Sequence, residues 1–124
     1  MTNNTLILYV EDNAENRLLI RRILEAEGHK VAEAENAATA LEFVASRTPD
    51  LILMDINMPD VDGYTLTTQM RTMPHLIDIP IVALTANVMK GDREKTFSVG
   101  CDGYIQKPVD VDELPKLISH YLNN

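Results

Sequence analysis

The sequence predicts an α/β fold: a doubly wound parallel sheet of five strands in the order 2-1-3-4-5, with five helices on its two faces. Three observations point there. Short apolar runs alternate with stretches of helical apolar spacing along the whole chain, and this pattern demands right-handed crossovers between parallel strands. The runs Thr5–Val10, Leu51–Met54 and Ile81–Leu84 are almost continuously apolar, which suits central strands buried on both faces. Lys30–Ala34 and Cys101–Ile105 are weaker and belong at the edges.

The first strand, Thr5–Val10, runs into Glu11 and Asp12. Asn13 can cap a helix over 14–28, with Leu18, Leu19, Ile20, Ile23 and Leu24 turned inward and Gly28 as its stop. Strand two, Lys30–Ala34, leads to Asn36, a cap for a helix through Arg47 whose Ala40, Leu41, Val44 and Ala45 face the core. Pro49 and Asp50 break the chain before strand three. That strand ends at Asp55 and the turn residues Pro59, Asp60, Asp62 and Gly63. A third helix over 64–73 is closed by Pro74, and strand four ends at Thr85. The fourth helix, 88–99, has a poor beginning in Met89-Lys90-Gly91-Asp92, so that end is expected to be weakly held. A final helix covers 110–122. Asp110 and Glu113 have capping-box spacing, but a cap at Asp112 suits Pro115 better. The strand order is that of flavodoxin-like folds.

The chain of 124 residues, 45% hydrophobic, suits one domain, and 1–124 reads as a single domain with no linker, repeat or effector domain. A net charge of -8 and a pI near 4.7 argue against sequence-independent nucleic-acid binding and against a basic membrane-surface helix. The lone Cys101 excludes an internal disulfide and a CxxC zinc site. No signal peptide or span-length apolar stretch is present, so the cytoplasm is the expected location.

The predicted order brings four strand ends to one edge. They carry Glu11 and Asp12, then Asp55, then Thr85, and after strand five Lys107. Three neighbouring carboxylates repel one another and hold protons more tightly than in water. A hard divalent cation relieves that conflict, and Mg2+ favours a few carboxylates, waters and a phosphate oxygen. Lys107 and Thr85 supply a charge and a hydroxyl suited to a phosphoryl oxygen. Asp55 remains as a carboxylate nucleophile for phosphoryl transfer.

The motifs Val10-Glu11-Asp12-Asn13, Leu53-Met54-Asp55-Ile56-Asn57-Met58-Pro59, Asp62-Gly63, Leu84-Thr85-Ala86 and Tyr104-Ile105-Gln106-Lys107-Pro108 together resemble the response-regulator receiver domain of two-component signalling. The resemblance covers nearly the whole chain. Met89-Lys90-Gly91-Asp92 and Gly100-Cys101 further resemble single-domain regulators of the DivK type and receivers of hybrid histidine kinases. It implies that Asp55 accepts a phosphoryl group from a phosphohistidine of a histidine kinase or histidine phosphotransfer protein. It implies that Glu11, Asp12, Asp55 and the backbone carbonyl of Asn57 hold Mg2+, that Thr85 and Lys107 contact the phosphoryl group, and that Tyr104 is the switch aromatic. It also implies a cis Lys107–Pro108 bond. Glu11 departs from the Asp found first in many receivers, which lengthens one ligand.

The residue class has one enzymatic rival, a Mg2+-dependent phosphatase of the haloacid-dehalogenase type. Those enzymes carry an acid/base Asp two residues after the nucleophile, where this chain has Asn57, which cannot donate a proton in that way. Asp60-Val61-Asp62-Gly63 resembles a calcium-loop fragment without its later Glu and reads as a turn. His29, His75 and His120 are scattered and read as surface residues, Cys101 as a small core residue. No Gly-rich phosphate loop follows strand one, so no nucleotide cofactor is expected. The expectation is a non-enzymatic switch. Phosphorylation alters the surface of helix four, strand five and helix five for a downstream protein, the chain being a monomer or a phosphorylation-dependent dimer.

Overall fold

The computed structural model describes residues 5–58, 62–86 and 90–122. Its strands are β1 (Leu6–Val10), β2 (Lys30–Ala34), β3 (Leu51–Asp55), β4 (Ile81–Thr85) and β5 (Gly103–Gln106). They form one parallel sheet in the order β2-β1-β3-β4-β5, as the apolar runs required. Among the described residues the α-helices are α1 (Ala14–Ala26), α2 (Ala37–Ser46), α3 (Gly63–Met70), α4 (Lys90–Ser98) and α5 (Leu114–Leu122).

Side-chain alternation along the central strands builds two cores. Leu8, Val10, Ile52, Met54, Ile81 and Ala83 pack with Ala40 and Val44 of α2 and Leu66 and Met70 of α3. Ile7, Tyr9, Leu51, Leu53, Val82 and Leu84 pack with Ile20 and Leu24 of α1 and Leu114 and Ile118 of α5. By the same alternation Glu11 follows Ile7 and Tyr9, and Asp55 follows Leu51 and Leu53. Both carboxylates therefore emerge on the α1/α5 side of the sheet.

Several local expectations change. In α1 only Ile20 and Leu24 are buried, while Leu18 and Leu19 are half exposed. Five apolar residues at 100° steps span too wide an arc for one buried stripe. Ala45 is exposed for the same reason, beside buried Ala40 and Val44. The third helix is shorter than its apolar pattern, because Thr72 and Met73 donate to Gln69 and Met70 in tightened turns, and Pro74 then starts a short 3-10 helix (Pro74–Leu76). Strand five starts at Gly103, two residues late. The Asp102 carboxylate instead takes the N–H of Ile81 and the Arg71 guanidinium. Arg71 also donates to the carbonyls of Leu76, Ile79 and Gly100, tying the ends of α3 and α4 to the loop before β4.

Neither Asp110 nor Asp112 directly precedes the last helix, which starts at Leu114; the Asp110 carboxylate instead accepts from the N–H groups of Asp112 and Glu113 and closes the turn before it. The turn over these residues carries the chain to Leu114, so Pro115 falls in the first helical turn, where its missing N–H costs little. His29 is buried, not on the surface: Gly28 turns the chain at φ 92°, and the His29 N–H returns to the carbonyl of Leu24. Burial lowers its pKa. His75 and His120 are exposed, and Cys101 is buried as expected. Asn13, Asn36 and Asp62 each cap their helix through a side-chain oxygen. The expected turn at Pro59 and Asp60 and the expected start of the fourth helix lie outside the described residues.

Candidate functional site

The ends of β1, β3 and β4 and the segment after β5 converge at the carboxyl edge of the sheet. Glu11, Asp12 and Asp55 each bring a carboxylate oxygen within 4.8 Å of the others. Glu11 and Asp55 are buried, and Asp12 is exposed. The Lys107 ammonium lies 3.1 Å from Asp55 Oδ1 and 3.5 Å from Glu11 Oε1. Two residues after Asp55, the Asn57 N–H donates to the same Oδ1 at 3.0 Å.

Lys107 is carried here by backbone geometry. Its N–H donates to the carbonyl of Thr85 at 2.8 Å, extending the β4–β5 ladder by one step, and its bond to Pro108 is cis. Thr85 is buried at the end of β4. Tyr104 lies one turn of the pleat further back on β5, half-buried against the α2/α3 core and edge-on to Phe97 of α4 at 6.1 Å. The expected aromatic is thus on the α4–β5 side of the sheet, away from the carboxylates.

Three residues that the sequence reading left out also belong to the site. The Tyr9 hydroxyl donates to Glu11 Oε1 at 3.0 Å, and Asn16 Nδ2 approaches the same oxygen at 3.5 Å. Arg17 donates to the Glu11 carbonyl at 2.7 Å and pairs with Glu33 of β2. Period two along β1 signalled Tyr9, since Tyr9 and Glu11 must share a face. The contact of Arg17 had no such signal, because it depends on how α1 lies across β2. Tyr9, Glu11, Asn16, Leu19, Lys107 and Pro108 line a cavity of about 180 Å3 beside the carboxylates.

Electrostatically the site is over-supplied with negative charge. The Glu11 carboxyl is pushed up to about 7, first by burial and then by the neighbouring Asp55 carboxylate, against the pull of Lys107. Three carboxylates face one ammonium, and all the side-chain acceptors in the cluster are hard oxygens. Glu11, Asp12 and Asp55 therefore fit a divalent cation such as Mg2+.

A family model of the response regulator receiver domain matches residues 7–119. The chain belongs to the response-regulator receiver family. This receiver is 39% identical over 118 residues to the polar-differentiation response regulator DivK of Brucella anthropi, covering 95% of this chain and 96% of that protein. The DivK of Brucella ovis is equally similar. Among solved structures, the receiver domain of a Pseudomonas aeruginosa sensor histidine kinase superposes with a TM-score of 0.90 at 33% identity, covering 98% of this chain and all of that one. That structure has a magnesium ion coordinated in its active site cleft. The chemotaxis protein CheY4 of Vibrio cholerae shares the fold, with a TM-score of 0.92 at 24% identity over 96% of this chain and 99% of its own. The chain is thus a receiver of two-component signalling, a signalling domain and not a classical enzyme, and among the described residues no helix is long and apolar enough to cross a membrane.

Proposed function

We propose that this receiver is a phosphorylation-controlled switch whose acceptor is Asp55. The observation that carries the reading is the seat of Lys107, its ammonium shared between the buried carboxylates of Asp55 and Glu11. An Asp55 carboxylate oxygen forms the new P–O bond as the P–N bond of a donor phosphohistidine breaks, and the imidazole nitrogen keeps that electron pair. The donor is a histidine kinase or a histidine phosphotransfer protein, and the setting is the cytoplasm. Glu11, Asp12, Asp55 and the carbonyl of Asn57 would hold Mg2+, which supplies neutralisation of the charge gathered during transfer. Lys107 pairs with a phosphoryl oxygen, and the Thr85 hydroxyl donates to another.

The output is conformational. The phosphoryl group adds negative charge and acceptor oxygens at Asp55. Thr85 follows those oxygens, its backbone carrying the Lys107 link with it, and Tyr104 turns inward behind it. The α4–β5–α5 surface, where Phe97 stands half exposed beside Tyr104, then changes its affinity for a downstream protein. Dephosphorylation within the domain is slow, because Asn57 cannot serve as a proton donor.

Incubation with acetyl phosphate and Mg2+ tests this reading. One acid-stable, base-labile phosphoryl group is expected per chain, and none in Asp55→Asn. Undiminished labelling of Asp55→Asn would overturn it.

A further inference from the structure

Tyr9 is among the most deeply buried large side chains, 1% exposed in the middle of the α1/α5 core. A phenylalanine would fill that position equally well. The hydroxyl is what needs a reason, and its hydrogen bond runs 3.0 Å upward to Glu11 Oε1. Glu11 carries one methylene more than an aspartate and so one more rotatable bond. Its carboxylate needs an anchor to hold one orientation. Of the side-chain donors on Oε1, Tyr9 is the nearest, ahead of Lys107 and Asn16 at 3.5 Å each, and the Asn13 N–H reaches Oε2 at 3.4 Å. Tyr9 is also held in place by burial in the core it shares with Ile20 and Leu24 of α1 and Leu114 and Ile118 of α5.

We propose that Tyr9 is a positioning residue for the metal site, its buried hydroxyl fixing the Glu11 carboxylate so that this longer side chain presents its oxygens to Asp12 and Asp55. The proposal rests on the reading of these carboxylates as a Mg2+ site.

Calorimetric titration of Mg2+ into the metal-free protein tests it, with a double-mutant cycle between Tyr9→Phe and Glu11→Asp. Tyr9→Phe is expected to weaken Mg2+ binding by about tenfold, as loss of an outer-shell hydrogen bond does at other metal sites. In the Glu11→Asp background, where the shorter carboxylate falls out of reach of the phenol, the same substitution should leave Mg2+ affinity unchanged. A Tyr9→Phe protein that melts at lower temperature yet binds Mg2+ like the wild type would overturn the proposal, since the hydroxyl would then serve stability alone. Equal losses in both backgrounds would also overturn it. A wild-type chain without Mg2+ affinity would instead remove the metal reading on which it stands. Nuclear magnetic resonance of the wild type gives a second measure independent of the variant's folding. The Tyr9 Cζ resonance should shift when Mg2+ is added, and a resonance that stays in place would count against the contact.

Discussion

Gly63 opens α3 directly against Asp55: a Cβ on Gly63 would lie 2.6 Å from the Asp55 carbonyl oxygen and 2.8 Å from Ile56 Cα. Both are backbone atoms of the segment that carries Asp55, the proposed acceptor, and the Gly63 N–H is bonded back to the Ile56 carbonyl. Close approach, not an unusual φ, makes glycine the residue that fits. Gly63→Ala is expected to destabilise the domain by roughly 1–3 kcal/mol, the usual cost of overpacking, and to slow phosphoryl uptake as α3 is pushed off β3. Urea denaturation with a parallel acetyl phosphate time course checks both parts.

Lys107 is the one ammonium shown against the carboxylate cluster among the described residues. If Lys107 stabilises the transferred charge as proposed, Lys107→Ala should slow uptake from acetyl phosphate by roughly 10²–10³-fold. Mg2+ binding should hold or tighten, because a competing positive charge is gone. Lys107→Arg should not restore the rate, since a planar fork does not replace a point charge in a site built around one. Initial labelling rates and a Mg2+ titration on the three proteins separate these effects.

Glu11 makes stability depend on pH in a defined direction. Its folded pKa of about 7 lies above the ordinary 4.5, so the native state holds this proton more tightly than the unfolded chain. The contribution is fully present below the unfolded value and is lost as pH rises through about 7. Metal-free protein should therefore lose stability between about pH 5 and pH 7, and stabilisation by Mg2+, which competes with the proton, should grow over the same window. Thermal unfolding with and without Mg2+ across that range measures it, and Glu11→Gln should flatten both trends.

Thr85 and Tyr104 are predicted to separate uptake from output. Thr85→Ala keeps Asp55 and Lys107, so it should still accept phosphate. It loses the hydroxyl that would follow the phosphoryl oxygens, so the ring resonances of Tyr104 should stay in place on phosphorylation, whereas in the wild type they should move relative to Phe97. Equal movement of Tyr104 in both proteins would break the proposed link.

The sheet and the cluster of residues at its edge were legible in the sequence because both depend on short-range pattern. Continuous apolar runs mark β1, β3 and β4 as central, weak runs mark β2 and β5 as edges, and a residue that ends a strand must lie at the sheet's carboxyl edge. Glu11, Asp12, Asp55, Thr85 and Lys107 could thus be gathered from their positions alone. Only the tertiary structure decided what period and propensity do not encode. Leu18 and Leu19 carry the apolar signature of a core yet remain half exposed, because α1 buries one narrow stripe. His29 looks like a surface residue and is buried, because Gly28 folds it back under α1. Arg17 joins the site through its contacts with the Glu11 carbonyl and Glu33, fixed by where α1 comes to rest, and distances between separate elements are set by packing, to which no local run of residues is sensitive.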